Sequence, residues 1–317
     1  MTVKTIPCAS ASEVIAKLWE ACPMETGPDG LQRRPWIFRG HACASWSLLA
    51  SSHRELLKTR DQLVIDRRNA NGIALNFNGT TDKIEPVRLR RIALIRATRS
   101  ACLDRVLNFG RIASELGLLS GTSAKDYHQY ANGMQSEPPT WRTDFNFHMY
   151  TSLIGLAQHN GVPTPFLDWT ASPLVAIWFA CDKVLNPENG ADKVNEKDAC
   201  VWAFPLTRLE RGSHTENIGI NVIRITDQTF PVAQGGIFTH DTLLYADYER
   251  DGTTKTLDER VAVQELKKFP LPTRVCFQRE WASELMTMLS DYGVTGPRLM
   301  PTLPRVGQEC LRILPNT

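Results

Sequence analysis

No two cysteines in this chain stand at Cys-x-x-Cys spacing, and no Cys/His cluster has the spacing of zinc ligands. Neither a zinc site nor a thioredoxin-like redox motif is therefore expected, and no metal cofactor. The eight cysteines are scattered, several within apolar runs, which points to reduced and partly buried thiols rather than a disulfide framework. The first residues lack the apolar core of a secretory leader, and no apolar run approaches the ~20 residues that a membrane span requires. The expected compartment is the cytoplasm, with no membrane partner. Walker, Gly-x-Gly-x-x-Gly and Gly-x-Ser-x-Gly patterns are missing, which removes P-loop, Rossmann and hydrolase-elbow sites. A large charge of one sign is missing too: 36 basic residues face 34 acidic ones, for a net charge of +2. That excludes a globally basic nucleic-acid coat.

What remains is an ordinary globular composition, 42% hydrophobic and 22% charged over 317 residues. One feature stands out in the charge pattern. Between Pro86 and Arg111 there are seven arginines and one acid, so this segment carries +6 and the rest of the chain −4. Residues 86–118 hold good helix formers without an internal proline and predict a long helix, with Arg88, Arg91 and Arg99 on one face. These three are the candidate nucleic-acid contacts; the alternative, which the charge pattern favours, is a solvated charged surface.

Further helices are expected over Val14–Ala21, Asn146–Ala157, Leu174–Cys181 and Gln278–Tyr292. In the last of these, Trp281, Leu285, Met288, Leu289 and Tyr292 form the apolar face. Gly161 is placed to end the second, and Ser172-Pro173 to cap and start the third. Strands are expected at Trp36–Phe38, Ala199–Phe204, Asn221–Ile225, Gly236–Thr239 and Lys268–Pro270. Helices and strands mix without a regular βαβ alternation. The expected class is α+β, with a single mixed or antiparallel sheet flanked by helices. A single domain over 1–317, with a helical insertion at about 55–145, fits the absence of a linker.

Three blocks carry candidate chemistry. In Phe38-Arg39-Gly40-His41, an arginine ends a buried strand. Its planar fork suits a phosphate or carboxylate, and Gly40 lets a ligand or another stretch of backbone come close. The alternative is an internal ion pair, with Asp168 as the partner. In Gln158–Thr170, polar groups sit between stiff apolar elements. His159 is a candidate base or clamp, Asp168 an orienting carboxylate, and Gln158, Thr164 and Trp169 candidate ligand contacts. Each also has a structural explanation: a helix C-terminal histidine, a capping aspartate, a core tryptophan. In Gln234-Gly235-Gly236-Ile237-Phe238-Thr239, the glycines suit a phosphate cradle or, as readily, a turn.

Taken in order, these blocks resemble the FRG domain family. Phe38-Arg39-Gly40 matches the tripeptide that names it, followed by Trp46-Ser47-Leu48. The central pattern is met by Gln158, His159, Gly161, Pro163, Thr164, Leu167, Asp168, Trp169, Thr170, Pro173 and Ala176, and the third block by Gln234 to Thr239. Phe166 departs from the usual leucine, and the acids of the family's C-terminal pattern are absent from Met300–Arg305. The resemblance implies a bacterial or phage-associated protein of conflict or phage-defence systems, toxin-like, with an antitoxin or defence component as protein partner. By analogy with ADP-ribosyltransferases it suggests NAD as a cofactor-like substrate. Arg39, His159, Asp168 and Gln234 would be the catalytic set, with Gly40, Gln158, Thr164, Trp169 and Gly235 lining the nucleotide. A non-catalytic nucleotide or nucleic-acid recognition module, and a purely structural signature, remain open beside it.

Overall fold

A computed structural model of the chain describes residues 3–26, 30, 32–33, 35–59, 86–133, 150–187, 196–215, 219–224, 234–261 and 270–313. The chain divides into two compact units. The first comprises Met1–Leu48, Asp168–Thr239 and Leu257–Thr317, and the second Leu49–Leu167 and His240–Thr256.

The first unit is built on a mixed seven-stranded sheet of order β1-β9-β6-β4-β5-β8-β7. The strands are β1 (Lys4–Pro7), β4 (Trp36–His41), β5 (Phe166–Thr170), β6 (Asp198–Pro205), β7 (Ile220–Arg224), β8 (Gly236–Asp241) and β9 (Thr273–Gln278); β2 (Glu25–Thr26) and β3 (Gln32–Arg33) form a separate ribbon. β1 runs parallel to β9, while β6 is antiparallel to both β4 and β9. The class is α+β, as expected.

Register decides what each sheet face carries. Phe38 lies opposite Ala203, Gly40 opposite Val201, and Val201 opposite Val275. These residues make one apolar face, covered by α1 (Ala11–Ala21), α6 (Pro173–Leu185) and α10 (Ala282–Asp291); α7 (Leu206–Thr215) and α9 (Leu257–Arg260) belong to the same unit. In α1 the buried positions Ala11, Val14, Ile15 and Leu18 follow the helical repeat. Helix α6 starts where expected: Pro173 is its first residue, and the Ser172 hydroxyl accepts from the Val175 N–H at 3.4 Å. It is apolar nearly all round because it packs on β4 and β6 and also against α10. Each large side chain buried there contributes about 1.5–3 kcal/mol.

Gly40 explains how closely α6 approaches. A Cβ added there would collide with the Ala176 carbonyl oxygen and lie 2.7 Å from the Ala180 backbone nitrogen. The space beside Gly40 is thus filled by the helix backbone.

Two expectations shift. Helix α10 begins at Ala282 after a 3-10 turn over Arg279–Trp281, because Gln278 and the residues before it are committed to β9. Its buried face is Ala282, Leu285, Met286 and Leu289, and Tyr292 is exposed. Of the strand expected at Lys268–Pro270, only Pro270 is among the described residues, and it precedes β9.

The second unit is helical: α2 (Ser51–Thr59), α3 (Pro86–Glu115), α4 (Gly121–Gly133), α5 (Thr151–His159) and α8 (Leu244–Asp251). Residues 60–85 and 134–149 of the expected insertion, including the start of the helix expected from Asn146, lie outside the described residues. The blurred amphipathicity of α3 has a packing cause. It touches α2, α4, α5 and α8, so Ile92, Ala93, Leu94 and Ile95 are all buried in succession. Helix α5 has no side-chain cap of its own. The buried Asp126 of α4 accepts from the Ser152 and Leu153 N–H groups, each at 3.1 Å. Gly161 ends α5 with φ +85°, and the bonds Gly161 N to Gln158 O and Val162 N to Ala157 O close a Schellman motif.

Candidate functional site

The face of β4, β6 and β9 opposite the apolar core is chemically different. Arg39 lies opposite Trp202, which lies opposite Arg274; one step along, His41 lies opposite Cys200 and Cys200 opposite Cys276. Because directly paired residues share a face, a cationic-aromatic row crosses three strands there.

Arg39 is fixed from two sides. Its Nε donates to His41 Nε2 at 3.0 Å, and Nη1 donates to the Asp168 carbonyl oxygen at 2.7 Å. The Asp168 carboxylate comes within 3.4 Å of Nη1, but that side chain is 56% exposed against 18% for Arg39. An imidazole nitrogen that accepts is unprotonated, so His41 is neutral in this arrangement. Both close acceptors are therefore neutral, and the exposed Asp168 carboxylate at 3.4 Å is the anionic partner of the guanidinium. Among the described residues nothing accepts from Nη2.

Aromatic side chains pack on its neighbours in this row. Trp46 meets His41 edge-on at 5.9 Å between centroids. Trp202 lies 6.0 Å from Phe204, and Arg274 sits over the Trp202 ring at 5.4 Å. Arg274 is itself held, donating from Nη1 to the Ala44 carbonyl at 3.0 Å. The buried indole N–H of Trp202 reaches no acceptor among the described residues. Trp169 packs on Phe204 at 5.1 Å and donates to Thr239 Oγ1 at 2.9 Å, so its polar edge is used within the first unit.

The other candidates separate. Arg39 and Asp168 come together. Gln234 turns elsewhere: its carbonyl accepts from Thr170 Oγ1 at 2.5 Å, and its amide donates to the Leu299 carbonyl at 3.1 Å. Gly235 has φ +59°, the left-handed conformation a tight turn needs, and its carbonyl accepts from Ala171 N at 3.0 Å. The glycine block is thereby stapled to the end of β5. Gly40 faces α6, as described above.

His159, Gln158 and Thr164 belong to the second unit. His159 is the half-buried last residue of α5. The buried Thr164 hydroxyl bonds to the Gln158 side chain and accepts from Phe166 N at 3.2 Å, and Thr164 N donates to Ser51 Oγ at 3.1 Å. These two polar residues clip the double-proline loop to α2 and to α5.

The arginines of α3 are similarly engaged. Arg88 donates twice to Glu249, at 2.7 and 3.0 Å. Arg91 binds the Glu249 and Arg250 carbonyls near the end of α8, at 3.2 and 2.8 Å. Arg99 lies over the Tyr245 ring at 5.4 Å. Burial raises the Tyr245 hydroxyl far above its usual range.

His41, Trp202 and Arg274 were not among the sequence candidates. His41 was legible in principle, since residues two apart on a strand share a face. Trp202 and Arg274 join Arg39 only through strand pairing between distant segments.

An arginine paired only with an exposed carboxylate, a second held arginine and neighbouring aromatic rings can bind an anionic, ring-bearing ligand. The FRG domain model matches residues 108–189, from within α3 into the segment after α6, and so contains the Gln158–Ala180 block. Phe38-Arg39-Gly40 lies outside the matched residues. Neither the curated proteins nor the solved structures contain a match to this chain. The domain match supports assignment of the chain to the FRG-domain family.

Proposed function

Taking the chain as an FRG-domain protein, we propose that Arg39 receives a phosphate of a nucleotide-like ligand, and that NAD is the ligand in the enzymatic form of this reading. The observation that carries it is the half-used guanidinium: Nε is held by His41, Nη1 by the Asp168 carbonyl and, at 3.4 Å, its exposed carboxylate, and Nη2 has no partner among the described residues. A pre-positioned guanidinium binds a phosphate without first losing side-chain freedom. Trp46, partly exposed against His41, supplies ring surface near this row. Ribosyl transfer from NAD needs positioning and charge stabilisation more than a strong base, and Arg39 is suited to that demand. Asp168, next to Nη1, orients the guanidinium and yields its contact to the ligand.

Calorimetric titration with NAD, ADP-ribose and AMP tests the reading, together with labelled NAD to follow cleavage or transfer. Binding that falls about tenfold or more in Arg39→Ala is expected, as loss of a charge-assisted contact costs ~1.5–3 kcal/mol. If the folded wild type binds none of the three, the site has no nucleotide function and the Arg39 network serves only the fold.

A further inference from the structure

Cys200 and Cys276 occupy the row next to Arg39–Trp202–Arg274, directly opposite each other on β6 and β9. Both are free thiols. The kind of pairing matters. The bond from Arg279 N to the Lys197 carbonyl, at 2.9 Å, marks 197 and 279 as a hydrogen-bonded pair. Antiparallel pairs alternate, so 199/277 is also hydrogen-bonded, and 198/278 and 200/276 are not. A second contact agrees: the Cys276 carbonyl points away from β6 and accepts from Cys8 N at 2.9 Å. In a non-hydrogen-bonded pair the Cα atoms are about 4.5 Å apart and the side chains lean together. A disulfide spans Cα separations of roughly 4.4–6.8 Å. The two sulfurs can therefore join without moving the strands.

We propose that Cys200 and Cys276 form an oxidisable dithiol, converted to a cross-strand disulfide by hydroperoxides. The half-buried Cys276 meets the oxidant first, whereas Cys200 is fully buried. The Cys276 thiolate attacks the O–O bond of the peroxide and becomes a sulfenic acid, releasing hydroxide. The Cys200 thiol then displaces that hydroxyl group as water, forming the S–S bond. Two thiols give up two electrons and two protons, and hydrogen peroxide becomes two waters. Burial raises both thiols above their ordinary range, and the Arg274 guanidinium partly counters this at Cys276. The reaction is accordingly slower than at a dedicated peroxidatic cysteine. Cys8 is a poor competitor although it is near in the chain fold: it packs with the apolar core on the other side of the sheet. The proposal stands independently of any ligand at Arg39.

The test uses the full wild-type chain, folded, exposed to hydrogen peroxide, then unfolded in alkylating denaturant and digested for mass spectrometry. Titratable thiols should fall from eight to six. The peptides containing Cys200 and Cys276 should appear joined, and separate again under reductant. Cys276→Ser should keep its seven remaining thiols under the same exposure. Three outcomes overturn the proposal: an unchanged thiol count, Cys276 joined to Cys8 or Cys43, or Cys276 sulfinic acid with Cys200 unmodified.

Discussion

Gly40→Ala is the sharpest test of how this fold is assembled. The substitution adds one methyl group, and the backbone at Gly40 has no positive φ that would itself forbid alanine. The cost comes wholly from what the methyl meets. Two of the three nearest atoms are backbone atoms of α6, the Ala176 carbonyl oxygen and the Ala180 nitrogen at 2.7 Å; the third is the Ala180 Cβ at 3.0 Å. None can swing aside as a long side chain would. Helix α6 must lift from β4, and its other side is already packed against α10. Overpacking of a core costs about 1–3 kcal/mol, and rigid neighbours place this site toward the upper end. Each kcal/mol shifts Tm by roughly 2–4 °C in a domain of this size. A fall of roughly 5–10 °C is therefore expected in thermal denaturation followed by circular dichroism, with no ligand present. A Tm within a degree or two of wild type, with nucleotide binding abolished, would refute the reasoning. It would mean that Gly40 leaves room for a ligand and not for a helix.

Two further substitutions probe side-chain clasps, one in each unit. Asp126→Ala removes the carboxylate that serves as the borrowed cap of α5; a loss of about 1–2 kcal/mol in urea unfolding is expected. Arg305 grips the nearly buried Asp182 with two bonds, at 2.9 and 3.0 Å, and lies over the Trp178 ring at 5.6 Å. Arg305→Ala should cost ~2–3 kcal/mol, read by the same unfolding assay, because it leaves the Asp182 carboxylate without its cation in a largely dry site. Asp182→Asn in the Arg305→Ala background should recover part of that loss.

The match at residues 108–189 and the candidate cation at Arg39 are separate kinds of information. The first is a likeness to the FRG domain that runs through α5, β5 and α6. The second comes from geometry, in a strand outside the matched residues. Among the described residues, no helix is long and apolar enough to cross a membrane. Among them, too, no group of three or more His, Cys, Asp or Glu is arranged to hold a metal ion.

Local chemistry was legible wherever neighbouring residues in the chain decide the outcome. Ser172 and Pro173 start α6, and Gly161 closes α5. The apolar run Leu174–Ala180 announces a helix enclosed on several sides. Trp36–Phe38 and Ala199–Phe204 announce buried strands, because burial on both faces shows as a continuous apolar run. The short or polar strands were not legible. Phe166–Thr170 was not among the expected strands, since proline precedes it and Asp168 interrupts its apolar pattern; its pairing with β4 makes it a strand. β1 is mostly exposed and gains its structure only from β9.

The composition, the α+β class and the core role of α6 thus follow from the sequence by itself, because each depends on contacts close in the chain or on bulk transfer from water. The roles of the polar residues were decided by the tertiary structure. Register set Arg39 beside Trp202 and Trp202 beside Arg274. Helix packing claimed the space beside Gly40. Gln234, Thr164 and the arginines of α3 found partners far away in sequence. A side chain's hydrogen-bonding capacity is written in its type, but which partner satisfies it depends on what the fold brings within about 3 Å.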